Sequence, residues 1–310
     1  MKRDFIQLAD FSSKELLHLL DLTKKIKKQK KLLSLLKGKT IGLVFQKPSN
    51  RTRVSFEVAV YELGGNCIYL GPAEIDLGVR ETTADVAKTL SRYLDGIVAR
   101  TFTHKTVVEL ATHSTVSVIN GLSDLAHPCQ ALTDIFSVQE HFGKLKGLTL
   151  AYIGDGNNVC NSLLIGCCKV GLNINMACPK SYEPPQRVME EAQKEAKKTG
   201  TKILLTNSPQ EAAHGAHVLY ADVWVSMGQE KETNERLDIF KGFQINHELV
   251  RHADKNYIFM HCLPAHRGQE VTADIIDGPH SIVFDQAENR LHVQKAILMF
   301  LLGTKKAKGS

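Results

Sequence analysis

The segment Ser49-Asn50-Arg51-Thr52-Arg53 packs two hydroxyls and two guanidiniums into five residues. It follows a short apolar run and opens a helical pattern carrying Val54, Val58 and Tyr61. A helix N-terminus offers unpaired N–H groups and the positive end of a dipole, and arginine adds forked, charge-assisted bonds. That combination suits a phosphate. The Gly-x-x-x-x-Gly-Lys spacing of a nucleotide-binding P-loop is absent. The plainer alternative is a capped helix whose arginines form surface ion pairs; the crowding of donors at one helix end favours the anion site.

Other polar clusters follow short apolar runs. In His127-Pro128-Cys129-Gln130, His127 has a donor for a carbonyl oxygen and Gln130 has both a donor and an acceptor. Taken alone, the His-Pro pair reads as a turn. Gly154-Asp155-Gly156-Asn157-Asn158 looks like the start of a dinucleotide fingerprint, but Val159 stands where a third small residue would let the helix pack closely. Two asparagines at a strand end suit a substrate carboxylate or ammonium better. Asp222-Val223-Trp224-Val225-Ser226-Met227-Gly228 holds the only tryptophan and a carboxylate able to pair with a substrate cation; a loop around a buried Trp is the alternative. His261-Cys262-Leu263-Pro264-Ala265-His266 invites a zinc reading. Zinc needs three or four protein ligands, and no second ligand cluster exists, so no metal is expected. Glu288-Asn289-Arg290 opens the last helical pattern.

The elements that must position these residues alternate. Strand-length apolar runs fall at Ile41–Phe45, Cys67–Leu70, Ile97–Ala99 and Val116–Ile119. A second series falls at Leu148–Ile153, Ile174–Ala177, Ile203–Thr206, Val218–Ala221, Tyr257–Met260 and Ile282–Phe284. Helical patterns lie between them, such as Thr82–Tyr93, Ala131–Phe142 and Arg187–Lys198. Ser12 with Glu15 gives the first helix a capping box. This alternation predicts an α/β chain with two doubly wound, Rossmann-like parallel-sheet domains and an active-site cleft between them. The expected division is 1–135 and 136–286, with the last helix at 287–302 joining the first domain and a basic tail at 303–310. Ligands of such sheets bind beyond the C-terminal strand ends, where every motif above falls.

The whole chain limits the remaining classes. At 310 residues it is long enough for two cores. No apolar run approaches the ~18 residues of a membrane span. Met1–Phe5 has a charged start with no apolar signal core behind it, so a cytoplasmic protein is expected. Seven cysteines without a C-x-x-C read as reduced thiols. Lys24 to Lys31 holds six lysines in eight residues. No aromatics interleave with them, so a solvated helix face is preferred over a nucleic-acid surface.

Together the motifs resemble the aspartate/ornithine carbamoyltransferase family, from the first helix to Arg290 and beyond. The wider family shares Ser-x-Arg-Thr-Arg and His-Pro-x-Gln, whereas Asp-x-Trp-x-Ser-Met-Gly and His-Cys-Leu-Pro point to its ornithine branch. The resemblance implies transfer of the carbamoyl group from carbamoyl phosphate to the side-chain amine of L-ornithine, without a cofactor. Putrescine, N-acylornithine and aspartate are the alternative acceptors. It implies that Ser49, Asn50, Arg51, Thr52 and Arg100 hold the phosphate, with Arg290 on the same side. Arg51, Arg100, His127 and Gln130 would reach the carbamoyl group, and Asn158, Asp222, Ser226 and Met227 would bind ornithine. Cys262 and Leu263 would border the reacting centre. The implied catalytic set is Arg51, Arg100, His127, Asp222 and Cys262. A homotrimer, or a multiple of trimers, follows from the same resemblance, with sites at subunit interfaces. Two positions depart from the pattern. Asn50 stands where many relatives have Thr, at a place served by a backbone N–H. Asp76 stands where many have Gln or His reaching a neighbouring subunit's phosphate site, and a carboxylate there repels phosphate unless a cation intervenes.

Overall fold

The computed structural model describes residues 2–29, 33–225 and 233–303. The chain divides into two compact units, one of Met1–Leu132 with Asn289–Ser310 and the other of Thr133–Glu288.

The first unit is built on four parallel strands, β1 (Thr40–Phe45), β2 (Asn66–Leu70), β3 (Gly96–Arg100) and β4 (Ser117–Leu122), in the order β2-β1-β3-β4. Strands β1 and β3 lie in the middle and bury nearly every residue, which is why they read as unbroken apolar runs. Val44, Ile97, Ala99, Val107, Leu110 and Val118 belong to one core cluster. The first helix, Ser13–Lys27, starts at the predicted capping box and buries Leu16, Leu19, Leu20 and Ile26. Ionic and polar ties hold residues 289–302 of the last helix in this unit. Lys295 Nζ lies 2.6 Å from Glu62 Oε2, and Lys27 Nζ donates to Asn289 Oδ1 at 2.7 Å.

The second unit has five parallel strands, β5 (Thr149–Ile153), β6 (Asn173–Ala177), β7 (Ile203–Thr206), β8 (Val218–Ala221) and β9 (Ile258–His261), in the order β7-β6-β5-β8-β9. Its core joins Ala151, Ile153, Leu219, Ala221 and Phe259 to Trp224, Phe240 and Phe243. Each sheet reverses its winding once, between β1 and β3 in the first and between β5 and β8 in the second. At such a switch point adjacent loops diverge and leave a crevice at the C-terminal strand ends.

Two sequence expectations need correction. Ile282–Phe284 is not a strand. Ile282 donates its N–H to Phe259 O at 3.0 Å, making a single rung beside β9, and the chain then winds into the helix Val283–Leu302. Val54, Val58 and Tyr61 do share a stripe of the helix Asn50–Glu62, but it is not the core face. Thr52, Phe56, Ala59 and Val60 are buried, while Val54 and Tyr61 are 55% and 68% exposed. Among the described residues no helix is long and apolar enough to cross a membrane.

Candidate active site

Ser49 sits four residues beyond the end of β1 and caps the helix Asn50–Glu62, its hydroxyl accepting from Thr52 N–H at 3.2 Å. The cap fixes the helix start, and Arg51 N–H donates to Asn50 Oδ1 at 2.7 Å in the same turn. Thr52 is buried, and its hydroxyl oxygen accepts from Arg290 Nη2 at 3.0 Å. The other terminal nitrogen of Arg290 donates to Gln130 Oε1. Residues from three distant stretches of sequence, Thr52, Gln130 and Arg290, thus form one buried chain of polar contacts. Arg100 ends β3 beside β1 and accepts from Gln46 N–H through its carbonyl at 2.8 Å. Arg53 is not part of this set. It pairs with Glu57 at 3.0 Å and stacks 3.9 Å over the Tyr69 ring, because two residues along a helix turn the side chain to another face.

His127 lies at the start of the helix Pro128–Phe142 and is buried. Burial pushes its imidazole well below the ordinary 6.5, and the charges of Arg290, Arg100, Lys47 and Arg51 add to that. The ring is therefore neutral at pH 7 and has one N–H to donate. Lys47, which the sequence reading passed over, has its ammonium 5.4 Å from the Phe102 ring centroid and its pKa lowered by burial and by Arg100. Gln46 was also missed. Its amide donates to Leu77 O at 3.0 Å and accepts from Phe102 N–H at 2.9 Å, tying together the loops after β1, β2 and β3. Four cations act on one neutral histidine, and Asp124 acts on Lys47 among them, so the cluster favours an anion. The arrangement can hold a phosphate dianion and present N–H donors to a neighbouring carbonyl oxygen.

The second unit gathers a different chemistry at its own strand ends. Asp222 follows β8 and is buried. Its carboxylate accepts from Asn157 Nδ2 at 2.7 Å, from Cys262 Sγ at 2.9 Å and from Val223 N–H at 2.8 Å. All three donors are neutral, and among the described residues no cation pairs with Asp222. The asparagine that reaches it is Asn157. Asn157 also caps the helix Asn158–Val170, accepting from Val159 and Cys160 N–H at 2.9 and 3.2 Å. An Asn at the N-cap of a helix after a strand was the available signal. Asn158, the residue expected from the resemblance, begins that helix beside it. Ser226 and Met227 lie outside the described residues.

Cys262 and Leu263 follow β9. Leu263 takes the left-handed conformation at φ 58° and precedes a cis peptide bond to Pro264. His261 Nδ1 accepts from Leu263 N–H at 2.8 Å, and its Nε2 stands 3.2 Å from Glu270 Oε1, both side chains fully buried. The imidazole thus fixes the backbone of the Cys262 loop, a task that sequence alone did not suggest. Among the described residues no group of three or more His, Cys, Asp and Glu could hold a metal ion. The glycine-rich loop Gly154–Asn158 packs on the segment that follows β6. Gly156 lies against the chain itself, donating to Tyr182 O at 2.8 Å, and a Cβ there would meet Pro184 N at 2.4 Å. Asp76 occupies the left-handed region at φ 37° on the exposed segment after β2.

Residues 3–140 match the sequence model of the aspartate/ornithine carbamoyltransferase carbamoyl-P binding domain, and residues 146–301 match that of the Asp/Orn binding domain. The chain belongs to the aspartate/ornithine carbamoyltransferase family. It is 53% identical over 304 residues to the ornithine carbamoyltransferase of Carboxydothermus hydrogenoformans, covering 97% of this chain and 98% of that protein. The solved ornithine carbamoyltransferase of Pyrococcus furiosus superposes with a TM-score of 0.96 at 50% identity, covering 98% of each chain. The anabolic enzyme of Campylobacter jejuni superposes at 0.92 with 39% identity, over 97% of this chain and 99% of that one. The family is one of carbamoyl-group transferases, and both parallel-sheet units fit it.

Proposed function

We infer that this enzyme transfers the carbamoyl group of carbamoyl phosphate to the side-chain amine of L-ornithine, releasing L-citrulline and phosphate. The observation that carries the acceptor choice is Asp222, a buried carboxylate held by neutral donors and by no cation among the described residues. Such a group is costly to bury unless a cationic or amine ligand completes it. An aspartate acceptor would bring a second carboxylate against it. Putrescine lacks the carboxylate that Asn158 would bind, and N-acylornithine lacks a free α-ammonium.

In this reading Ser49, Asn50 through its N–H, Arg51, Thr52 and Arg100 grip the phosphate, with Arg290 behind Thr52. Gln130, Arg51, Arg100 and neutral His127 hold the carbamoyl oxygen. The amine of free ornithine titrates near ~10.4, so it must lose a proton before attack. Asp222, with the Cys262 thiol donating to it, orients that amine. Attack on the carbamoyl carbon makes a tetrahedral oxyanion, which Arg51, Arg100 and His127 stabilise; its collapse breaks the C–O bond and expels phosphate, which takes up the surplus proton of the attacking nitrogen. Cys262 is an orienting group and not a nucleophile; recovery of a carbamoylated Cys262 would refute this step. Leu263 borders the carbon through its backbone. Asn158, Ser226 and Met227 take the amino-acid end of ornithine.

The reading extends to the assembly. We assign a homotrimer in which Asp76 of one subunit borders the phosphate site of the next, supported by the exposed apolar stripe of the helix Asn50–Glu62. All seven cysteines are free thiols, which suits the cytoplasm. A relative 50% identical over 304 residues is named an anabolic enzyme, which supports a direction towards citrulline and arginine. One assay tests the activity: carbamoyl phosphate with ornithine, putrescine, N-acetylornithine or aspartate, read by phosphate release and product mass. Turnover limited to ornithine is expected. Faster turnover with any of the others would overturn the assignment.

A further inference from the structure

Arg236 has no place in the chemistry above, yet it is one of the most enclosed cations of its unit. It lies on the helix Thr233–Phe240 with 3% of its surface exposed. Its Nε donates to Trp224 O at 2.6 Å, and a terminal nitrogen forms an ion pair with Asp155. Its guanidinium carbon lies 4.9 Å from the centroid of the Tyr182 ring and 5.1 Å from that of Phe240. Trp224 comes two residues after Asp222, and Asp155 comes two residues before Asn157. Asn157 in turn donates to Asp222 at 2.7 Å. The loop after β5 and the segment after β8 are therefore joined twice, once through Asn157 and Asp222 and once through Arg236.

We propose that Arg236 is a positioning residue of the acceptor site, holding these two segments in register so that Asp222 and Asn157 face the amino-acid substrate. The proposal rests on the reading of Asp222 as the acceptor-binding carboxylate. Arg236 also sorts the charges. Asp155 and Asp222 follow paired strands, and among the described residues only Asp155 meets a guanidinium. Its negative charge is thereby spent inside the protein, and Asp222 is left to the substrate amine. An ammonium at this position would not replace it. Only a planar fork donates sideways to a carbonyl and forward to a carboxylate while lying against two rings. Because Arg236 touches no reacting atom, its influence on catalysis passes through Asp222 and Asn157.

The test is steady-state kinetics of Arg236→Lys, Arg236→Gln and the charge-balanced double variant Asp155→Asn with Arg236→Gln. Each is varied against both substrates, with thermal unfolding measured alongside. A displaced constellation is expected to raise KM for ornithine by about 10-fold to 100-fold in Arg236→Gln. KM for carbamoyl phosphate should stay within about twofold, because its ligands are other residues. The double variant should recover part of the ornithine affinity, since no uncompensated Asp155 remains. Arg236→Lys gives the same reading if the Gln variant does not fold. An unchanged KM for ornithine in whichever variant folds, even with a lower Tm, overturns the proposal, as does an equal rise in both KM values. Asp222→Asn serves as the control. If it leaves ornithine binding intact, the acceptor-site reading has failed. If it weakens ornithine binding while the Arg236 variants do not, only the positioning role has failed.

Discussion

Arg51 and His127 carry opposite lessons about charge at a phosphate site. In the proposed mechanism Arg51 must stay charged, since there it both grips a phosphate and meets a developing oxyanion. Arg51→Ala should lower kcat by about 10²–10³-fold, the usual cost of removing one such donor. Undiminished turnover would refute its role. His127 must stay neutral, and the fold enforces this by burying it among Arg290, Arg100, Lys47 and Arg51. That choice has a price in acid. Below pH 6.5 the unfolded chain takes up a proton at this residue and the folded chain does not. More protons on the unfolded state mean that stability falls as the pH falls, by about 1.4 kcal/mol per pH unit for a single group. Above pH 6.5 both states are neutral at His127 and the effect vanishes. Urea unfolding of the parent chain and of His127→Gln at pH 7.0, 6.0 and 5.5 checks it. The parent should lose more stability across that window, and parallel profiles would show that His127 protonates freely in the folded state.

At the level of elements, much of the machinery was legible because most motifs follow the C-terminal end of a strand; Glu288-Asn289-Arg290, expected to open the last helix, instead lies inside Val283–Leu302. β1, β3, β5, β8 and β9 were found from short apolar runs, and Ser12 with Glu15 marked the first helix. What escaped was pairing across sequence. Thr52 with Arg290, Asn157 with Asp222, and His261 with Glu270 are distant or offset contacts, and no local period encodes them. The strand expected at Ile282–Phe284 failed because a single rung satisfies Ile282 before helix-forming residues take over. The loop Gly154–Asn158 shows how one glycine separates two uses of a motif. Where a dinucleotide loop keeps space for a diphosphate, Gly156 brings the backbone of Tyr182–Pro184 into contact. Gly156→Ala must push that turn away, and overpacking of this kind typically costs about 1–3 kcal/mol. Tyr182 also packs against the Arg236 guanidinium, so the variant should show both a lower Tm and a higher KM for ornithine. Parent-like values in both would mean that the turn yields freely.

For the molecule as a whole, the stripe of Val54, Val58 and Tyr61 decides more than the basic charge does. An amphipathic helix normally turns its apolar face to its own core. Here the core side is filled by Phe56, Ala59 and Val60, and the stripe faces outward. Beside it β2 is an edge strand, with Ile68 45% exposed, and Val79 on the following segment is 79% exposed. Sequence pattern alone could not reveal this, because an apolar stripe looks the same whether it meets its own sheet or another copy of the chain. A free edge strand next to exposed valines and a tyrosine is an aggregation hazard unless something covers it. In the proposed homotrimer a second copy of this chain covers this surface, and Asp76 lies exposed on the same unit. The paired substitution Val54→Asp and Val58→Asp places charge in that surface without touching the buried face of the helix. Light scattering should change from a trimer mass to a monomer mass, with helix content retained. If the proposed trimer forms, activity should fall with it, through KM for carbamoyl phosphate more than for ornithine, because that proposal puts the neighbour at the phosphate end. A variant that keeps the trimer mass, or a parent chain that is monomeric at assay concentrations, would remove both the interface and the role given to Asp76.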